Sequence, residues 1–120
     1  MAYSRLVRLP NANRARVDRD KILKYLLCHE HPDGAPKARF FERFGFKRSA
    51  WEKLAAALFK HAMVNVVRKM VETDYGTRYT VDGPVETPDG RGPAIRTVWI
   101  VERESPVPRL VTAYPLEEPE

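Results

Sequence analysis

The spacing of apolar residues changes near residue 63, and this change limits the possible folds more than any other feature. Before it, apolar residues recur at helical spacing, as Ile22, Leu23 and Leu26 do. After it come four runs rich in β-branched and aromatic residues: VNVVRKMVET, GTRYTVDGPVE, AIRTVWIVER and PRLVTAYPL. The connections between these runs are too short for parallel crossovers. The pattern therefore predicts an α+β fold, with three N-terminal helices followed by a four-stranded antiparallel β-meander.

Start and stop signals predict helices over residues 18–28, 36–44 and about 49–61. Asp18 suits the N-cap of the first helix. Pro36 suits the first turn of the second helix, because an N–H group there would have no acceptor within the helix. Gly45 suits the position just after the end of that helix. Ser49 and Glu52 have the spacing of a capping box at the start of the third helix.

The chain has 120 residues, a length that suits a single domain spanning residues 1–120. Within it we expect an arm or short strand, a helical part, an antiparallel sheet and a frayed tail, in residues 1–17, 18–62, 63–116 and 117–120.

Charge is distributed unevenly between the two halves of the sequence. Residues 1–69 hold 16 Lys or Arg against 6 Asp or Glu, whereas residues 70–120 hold 5 against 10. A strongly basic front half favours an anionic partner, which is RNA or another polyanion, a phosphate-bearing ligand or an acidic protein. The alternative is a solvated charged surface without any partner.

Several classes of protein are disfavoured by what the sequence lacks. Cys28 is the single cysteine, so no internal disulfide forms, and we expect a small half-buried apolar residue. No run of eighteen apolar residues and no apolar segment of a signal peptide occur, which predicts a cytoplasmic protein with no membrane partner. His29 and His31 lack a third ligand cluster, and no nucleotide-binding glycine motif is present, so we expect neither a metal nor a cofactor.

The segment HPDGAPKARFF, residues 31–41, places cationic side chains at the start of the second helix. His31, Lys37 and Arg39 surround a helix end whose free N–H groups already favour an anion. Phe40 and Phe41 would anchor this helix in the core. The segment is therefore a candidate phosphate site. The alternative is that the two cations are solvated and that His31 is a turn residue.

Strand alternation supplies a second group of candidate side chains. In the third strand, Thr97 and Trp99 are predicted to share one face. In the last strand, Arg109 is predicted to lie on one face, and Leu110, Thr112 and Tyr114 on the other. A functional interpretation requires these residues to approach the loop at 31–39. The alternative is ordinary packing, because Thr, Tyr and Trp are common strand residues.

Taken together, LLCHEHPDGAPKARFFERFGF and the later YGTRYTVDGPVETPDGRGPAIRTVWIVERESPVPRLVTAYPL resemble a bacterial family of unknown function. Its members carry an HPxG…KAxFF loop and helix, a YGT…Y.V.GP strand, a TxW strand and a terminal PRLVTAYP strand. The resemblance covers residues 18–116. The chain departs from the family pattern at residues 34–36, where GAP replaces a glycine followed by polar residues.

The resemblance implies a toxin-like context. Related domains occur as small separate proteins and at the C-termini of large secreted or phage-head-type proteins, as polymorphic toxin tips do. Helices followed by a four-stranded antiparallel sheet also look like the barnase–EndoU–colicin–RelE class of ribonucleases. The polar residues carried over by position are His31, Lys37, Arg39, Thr97, Arg109, Thr112 and Tyr114.

Two functions remain open at this point. In the first, the protein is a metal-independent ribonuclease-like toxin. His31 would then act as base or acid, Lys37, Arg39 and Arg109 would bind phosphate, and Thr97, Thr112 and Tyr114 would orient the substrate. In the second, it is a non-enzymatic module that docks RNA or a small acidic neutralising protein. The sequence does not determine the oligomeric state.

Overall fold

The computed structural model of this protein describes residues 7–116. The first helix, α1 (residues 19–26), begins as an α-helical turn and continues as a π-helix. The helical segments in chain order are a 3₁₀ turn Ala12–Arg14, Arg19–Lys21 and Ile22–Leu26 within α1, α2 Ala35–Arg43, a 3₁₀ turn Arg48–Ala50, and α3 Trp51–Val64. Within residues 7–116, no helix has the length and apolar character needed to cross a membrane.

Four strands follow the helices and pair in sequence order. They are β1 Val67–Thr73, β2 Gly76–Pro84, β3 Ala94–Glu102 and β4 Arg109–Pro115. All three pairings are antiparallel, so the sheet is a meander with β1 and β4 at its edges. The predicted α+β class, with three helices before a four-stranded antiparallel sheet, is confirmed.

The helix starts differ from the sequence prediction. Asp18 is extended and precedes α1, but its side chain makes no capping hydrogen bond. Ser49 lies inside the 3₁₀ turn, and Ala50 occupies the N-cap position of α3, so the predicted capping box is wrong. The neighbouring Arg48 explains the turn, because its guanidinium donates hydrogen bonds to the carbonyls of Leu23 and Leu27 at the end of α1.

The helices pack on one face of the sheet, which we call the inner face. Trp99 and Ile95 of β3 are fully buried there, together with Phe41 of α2 and Leu58 of α3. Within residues 7–116, no helix covers the opposite, outer face. The strands must therefore divide their residues between a core and an open surface.

A β-bulge in β4 changes which residues reach the outer face. Trp99 pairs with Leu110, whereas the preceding Val98 pairs with Thr112, so Val111 is an extra residue. The predicted grouping of Leu110 with Thr112 is therefore wrong, and buried Leu110 lies on the inner face. The predicted separation of Arg109 from Thr112 is also wrong, because Arg109 pairs with Ile100 and lies on the outer face. Thr112 lies on the outer face.

The described part of the predicted N-terminal arm runs beside both edges of the sheet. The carbonyl of Val7 accepts a hydrogen bond of 2.7 Å from the N–H of Val67. Arg16 forms a parallel bridge with Arg109 of β4. Residues 1–6 of the arm and the predicted frayed tail, 117–120, lie outside the described residues.

Candidate functional site

A groove with a volume of about 770 Å³ crosses the outer face of the sheet. We call it the sheet groove. Residues from all four strands line it: Arg68, Lys69, Val71, Thr73, Arg78, Thr80, Arg96, Val98, Thr112 and Tyr114. Four of these side chains are cations: Arg68 and Lys69 come from the end of the basic half of the sequence, and Arg78 and Arg96 come from the acidic half.

Strand register explains why these residues lie together. Lys69 pairs with Thr80, Thr80 with Val98, and Val98 with Thr112, which makes one straight row across the sheet. A parallel row on one side contains Asp82, Arg96 and Tyr114, and one on the other contains Val71, Arg78, Ile100 and Arg109. The groove therefore spans all four strands.

One carboxylate offsets part of the positive charge. Arg96 donates two hydrogen bonds of 2.8 Å to the carboxylate of Asp82, and Arg68 lies 3.8 Å from it. The hydrogen bond to Asp82, followed by the nearby hydroxyl of Tyr114, raises the pKa of Arg96. Among residues 7–116, Lys69 and Arg78 form no salt bridge. The groove thus keeps a net positive charge.

Tyr25 of α1 connects the cationic loop to the sheet groove. Its phenol oxygen lies 3.0 Å from the hydroxyl oxygen of Thr112. The amino groups of Lys21 and Lys37 lie 5.3 Å and 5.1 Å from the centre of its ring, and the ring of His31 packs edge-on at 4.9 Å. We call Lys21, Tyr25, His31 and Lys37 the Tyr25 cluster. It lies beside the β4 end of the groove.

The loop before α2 is held by its own hydrogen bonds. Nδ1 of His31 accepts hydrogen bonds of 3.0 Å from the backbone N–H groups of Asp33 and Gly34. The neutral ring therefore carries its proton on Nε2. Lys37 donates a hydrogen bond of 3.0 Å to the carbonyl of Asp33. These contacts orient the side chains of His31 and Lys37. Because the acceptor of Lys37 is a neutral carbonyl, its positive charge is not offset.

Gly34 sets the distance between this loop and α1. A Cβ atom at this position would lie 2.1 Å from the carbonyl oxygen of Tyr25, which is far inside contact distance. Only glycine lets the two backbones approach this closely. The glycine of the HPxG motif is thus explained by the packing of the loop on Tyr25.

Other candidate residues from the sequence lie away from the groove lining. Arg39 is exposed on α2. Arg109, one row along the outer face, bonds to Glu102 at 3.1 Å. Thr97 is fully buried on the inner face, so its side chain does not reach the groove.

Thr97 belongs to a buried polar network. Its hydroxyl accepts a hydrogen bond of 2.9 Å from the indole N–H of Trp99 and lies 3.1 Å from Nδ1 of His61. Nε2 of His61 lies 3.0 Å from the carbonyl of Gly83 and donates to it, since a carbonyl can only accept. Burial lowers the pKa of His61, although the Gly83 hydrogen bond opposes the change. The neutral ring therefore joins α3 to the sheet.

Sequence reasoning missed the cations of β1 to β3 and the role of Tyr25. Arg78, Thr80 and Asp82 alternate with apolar neighbours, and this pattern places them together on one face of β2. No sequence pattern indicated that Tyr25 contacts Thr112, because 87 residues separate them.

Comparisons with known proteins relate the chain to one family and one fold. The model of a family described as "Domain of unknown function (DUF6883)" matches residues 8–117. A chain in the solved structure titled "Contact-dependent growth inhibition toxin - immunity protein complex from Klebsiella pneumoniae 342" is similar, with a TM-score of 0.65. The two are 17% identical, and the similarity covers 83% of this chain and 98% of that one. Such a likeness shows a common fold. No curated protein matches the chain.

Proposed function

We propose that this chain, which belongs to the family described as a domain of unknown function (DUF6883), is a ribonuclease-like toxin that binds RNA in the sheet groove. The observation that carries this proposal is the 3.0 Å contact between Tyr25 and Thr112. It joins the cationic loop, which holds His31 and Lys37, to the groove, which holds Tyr114. A single phosphate bound above Thr112 would face His31 and Lys37 on one side and Tyr114 on the other.

The charge of the groove favours a polyanion. Four cations line it, and Asp82 is the carboxylate bonded to two of them. Lys and Arg that contact phosphates supply most of the affinity of proteins for nucleic acids, because each contact releases bound counterions. The hydroxyls of Thr80, Thr112 and Tyr114 lie among these cations and can donate hydrogen bonds to phosphate oxygens.

The proposed reaction is an internal transfer within RNA. A water molecule accepts the proton of a ribose 2′-hydroxyl while the 2′-oxygen forms a bond to the adjacent phosphorus, and the N–H at Nε2 of His31 donates a hydrogen bond to a non-bridging oxygen of that phosphate. The bond from phosphorus to the 5′-oxygen breaks, and Tyr114 donates its proton to that leaving oxygen. The products are a 2′,3′-cyclic phosphate and a free 5′-hydroxyl, and Lys37 and Arg96 stabilise the charge on the pentavalent phosphorus between them.

Arg39 and Arg109, which lie outside the groove, are assigned to phosphates further along the RNA. Thr97 is assigned a supporting role in the core. Within residues 7–116, no three His, Cys, Asp or Glu side chains gather in a way that could hold a metal.

The fold neighbour supports the toxin assignment by analogy. That structure is titled a complex of a contact-dependent growth inhibition toxin with its immunity protein. For this chain we propose a comparable small protein partner that neutralises it. Because the groove is basic, such a partner would present an acidic surface and compete with RNA for the same face.

A second function is favoured by one specific observation. None of the groove-lining residues is a histidine, and Nδ1 of His31 is already bonded to its own loop. If water does not accept the proton of the reacting 2′-hydroxyl, no histidine of the groove lining is there to accept it. The protein would then bind RNA or an acidic protein without cleaving anything.

The experiment that separates these functions uses purified protein and labelled RNA in the presence of EDTA. We expect the wild type to release fragments ending in 2′,3′-cyclic phosphate and to arrest growth when it is expressed in bacteria. Tyr114→Phe and Lys37→Ala should abolish both effects, whereas Lys53→Ala, a change on α3, should not. RNA binding without fragments would select the second function. A wild type that neither binds nor cuts RNA would contradict both.

A further inference from the structure

We propose that the β1 half of the sheet groove is a separate subsite for the phosphates that flank the reactive one, and that the substrate is therefore an extended single strand of RNA. Arg68, Lys69 and Arg78 form this subsite. The inference rests on the proposed function, because it takes the phosphate above Thr112 as its reference point. It adds the path that the RNA takes across the sheet and the class of RNA that the groove accepts.

The row of cross-strand pairs gives the path of the RNA across the sheet and the length of that path. Lys69 on β1 and Thr112 on β4 are the ends of the row that passes through Thr80 and Val98. Neighbouring strands lie about 4.8 Å apart, so the row is about 14 Å long. This length exceeds the span of one phosphate group, so it suits a strand of several nucleotides. Lys69 is thus too far from Thr112 to contact the same phosphate.

The cations at the β1 end are available to a ligand. Lys69 and Arg78 form no salt bridge with any residue of the range 7–116. Arg68 lies at a looser 3.8 Å from Asp82, whose two oxygens are already bonded to Arg96 at 2.8 Å. Asp82 thus holds Arg96 through two hydrogen bonds, whereas Lys69, Arg78 and the more loosely paired Arg68 are available to an incoming anion.

An exposed apolar side chain at the β1 end of the groove favours a single strand over a duplex. Val71 lines the groove there with 41% of its surface exposed, whereas Val98, within the row, is buried. An unpaired base can rest its face on Val71, as bases do on other single-strand binding proteins. A duplex hides its base faces inside the stack and would leave Val71 uncovered.

The β1 end of the groove is also open. Within the described residues, β1 is the last strand of the sheet and pairs with β2 alone, apart from one bond between Val67 and Val7. A strand of RNA that enters over Thr112 can therefore pass Lys69 and continue beyond the protein. This geometry sets no upper limit on the length of the RNA.

The test compares probes that cannot be cleaved, since 2′-O-methyl groups block the attacking oxygen. Fluorescein-labelled 2′-O-methyl oligonucleotides of two and eight nucleotides, and a duplex of the longer one, are titrated in an anisotropy experiment at several salt concentrations. For the double variant Lys69→Ala, Arg78→Ala, we expect about a tenfold loss of affinity for the octamer and no loss for the dinucleotide. The slope of log affinity against log salt should fall by about 1.4, which is about 0.7 per lost phosphate contact.

The matched control removes the same number of charges elsewhere. Lys47→Ala, Lys53→Ala alters two exposed lysines near α3, and we expect the affinity and salt slope of the wild type. Thermal unfolding of each variant checks that the fold is retained.

Each contrary result has its own meaning. An unchanged octamer affinity in the Lys69, Arg78 double variant overturns the subsite, and cleavage lost in Tyr114→Phe then leaves the proposed function standing. An equal loss for both probe lengths shows that these cations contact the reactive phosphate, which also overturns the separate subsite. A duplex that binds as tightly as the single octamer overturns the substrate class. A wild type that binds none of the probes overturns the proposed function and the subsite together.

Discussion

The phenol oxygen of Tyr25 and the hydroxyl oxygen of Thr112 lie 3.0 Å apart, although 87 residues separate them in the chain. This contact fastens α1 to β4. It also places the lysines around the Tyr25 ring next to the sheet groove. It acts together with the parallel bridge between Arg16 and Arg109, which holds the segment before α1 against β4.

Removing the phenol oxygen should affect function more than stability. Tyr25→Phe keeps the ring that packs against Lys21, Lys37 and His31, but it loses the bond to Thr112. We expect a loss of about 0.5–1.5 kcal/mol in the free energy of unfolding, measured with urea, because that is the net value of one such bond. RNA cleavage should fall at least about tenfold, since small displacements of catalytic groups are costly.

Tyr75→Phe is the matched control, because this tyrosine is 80% exposed and lies in the turn after β1. It should behave as the wild type does in both assays. If Tyr25→Phe cleaves RNA at the wild-type rate, the Tyr25 cluster does not position the reactive groups.

The close approach at Gly34 predicts a large effect of a small substitution. In Gly34→Ala, the new methyl group would meet the carbonyl oxygen of Tyr25 at 2.1 Å, so the loop must move away from α1. We expect a loss of more than about 2 kcal/mol in the free energy of unfolding, as overpacking commonly costs. The ring of His31 should separate from that of Tyr25, which the chemical shifts of the His31 ring protons would report.

A second glycine isolates the steric part of this prediction. Gly90 has a positive φ of 80°, and a Cβ added to it would have no heavy atom within 4 Å, so Gly90→Ala introduces backbone strain without a clash. It should cost about 1 kcal/mol. Equal costs at the two positions would contradict the packing explanation for Gly34.

The buried ring of His61 predicts a loss of stability in mild acid. Burial lowers its pKa in the folded protein below the ordinary value of 6.5, which the unfolded chain retains. Below pH 6.5 the unfolded state therefore binds a proton that the folded state does not. The stabilising contribution is fully present above this pH and is lost as the pH falls through 6.5 toward the folded pKa. The free energy of unfolding should fall by up to about 1.4 kcal/mol per pH unit in that range.

Urea unfolding at pH 8, 7, 6 and 5 measures this effect. His61→Gln should weaken the pH dependence between pH 7 and 5, while lowering stability at every pH. His29→Gln removes an exposed histidine that pairs with Glu42, and it should leave the loss attributable to His61 in place. A wild-type stability that is constant from pH 8 to 5 would show that His61 is protonated as easily in the folded protein as in the unfolded chain.

Local patterns in the sequence were sufficient to predict the helices and strands, but not the groove. The order of elements follows from apolar periodicity and turn residues, which act over short stretches. The groove depends on strand register, since Lys69 reaches the same row as Thr112 through three cross-strand pairs. The extra residue Val111 shifts that register, and simple alternation therefore assigned Leu110 to the wrong face. Contacts between distant segments, such as Tyr25 with Thr112, leave no local signal.

The carboxylate of Asp82 predicts a variant that binds RNA more tightly. Asp82→Asn removes the charge that offsets Arg96 and Arg68, so the groove gains one net positive charge. We expect RNA affinity to rise about threefold to tenfold at low salt, which corresponds to about 0.7–1.4 kcal/mol, and this gain should shrink as salt is added. Stability should fall, because Arg96 loses two charge-assisted hydrogen bonds.

Glu102→Gln is the control for this change. It also removes one carboxylate from an arginine pair, but the residue lies outside the lining of the groove and bonds to Arg109. Its effect on RNA affinity should be smaller than that of Asp82→Asn. Equal gains would indicate that overall charge, rather than the groove, determines binding.

Thr97 in the core and Thr112 in the groove, both candidate site residues from the sequence, allow a matched comparison of stability and RNA cleavage. Threonine to valine replaces a hydroxyl with a methyl group of similar size. Thr97→Val removes the partner shared by Trp99 and His61 in the buried network, so we expect a loss of about 2–4 kcal/mol in the free energy of unfolding and no change in RNA affinity. Thr112→Val removes a hydroxyl from the groove, so it should reduce RNA cleavage with a loss of less than about 1.5 kcal/mol. The opposite pattern, with weaker RNA binding in a stable Thr97→Val protein, would show that the substrate reaches the inner face and that the outer groove is not the site.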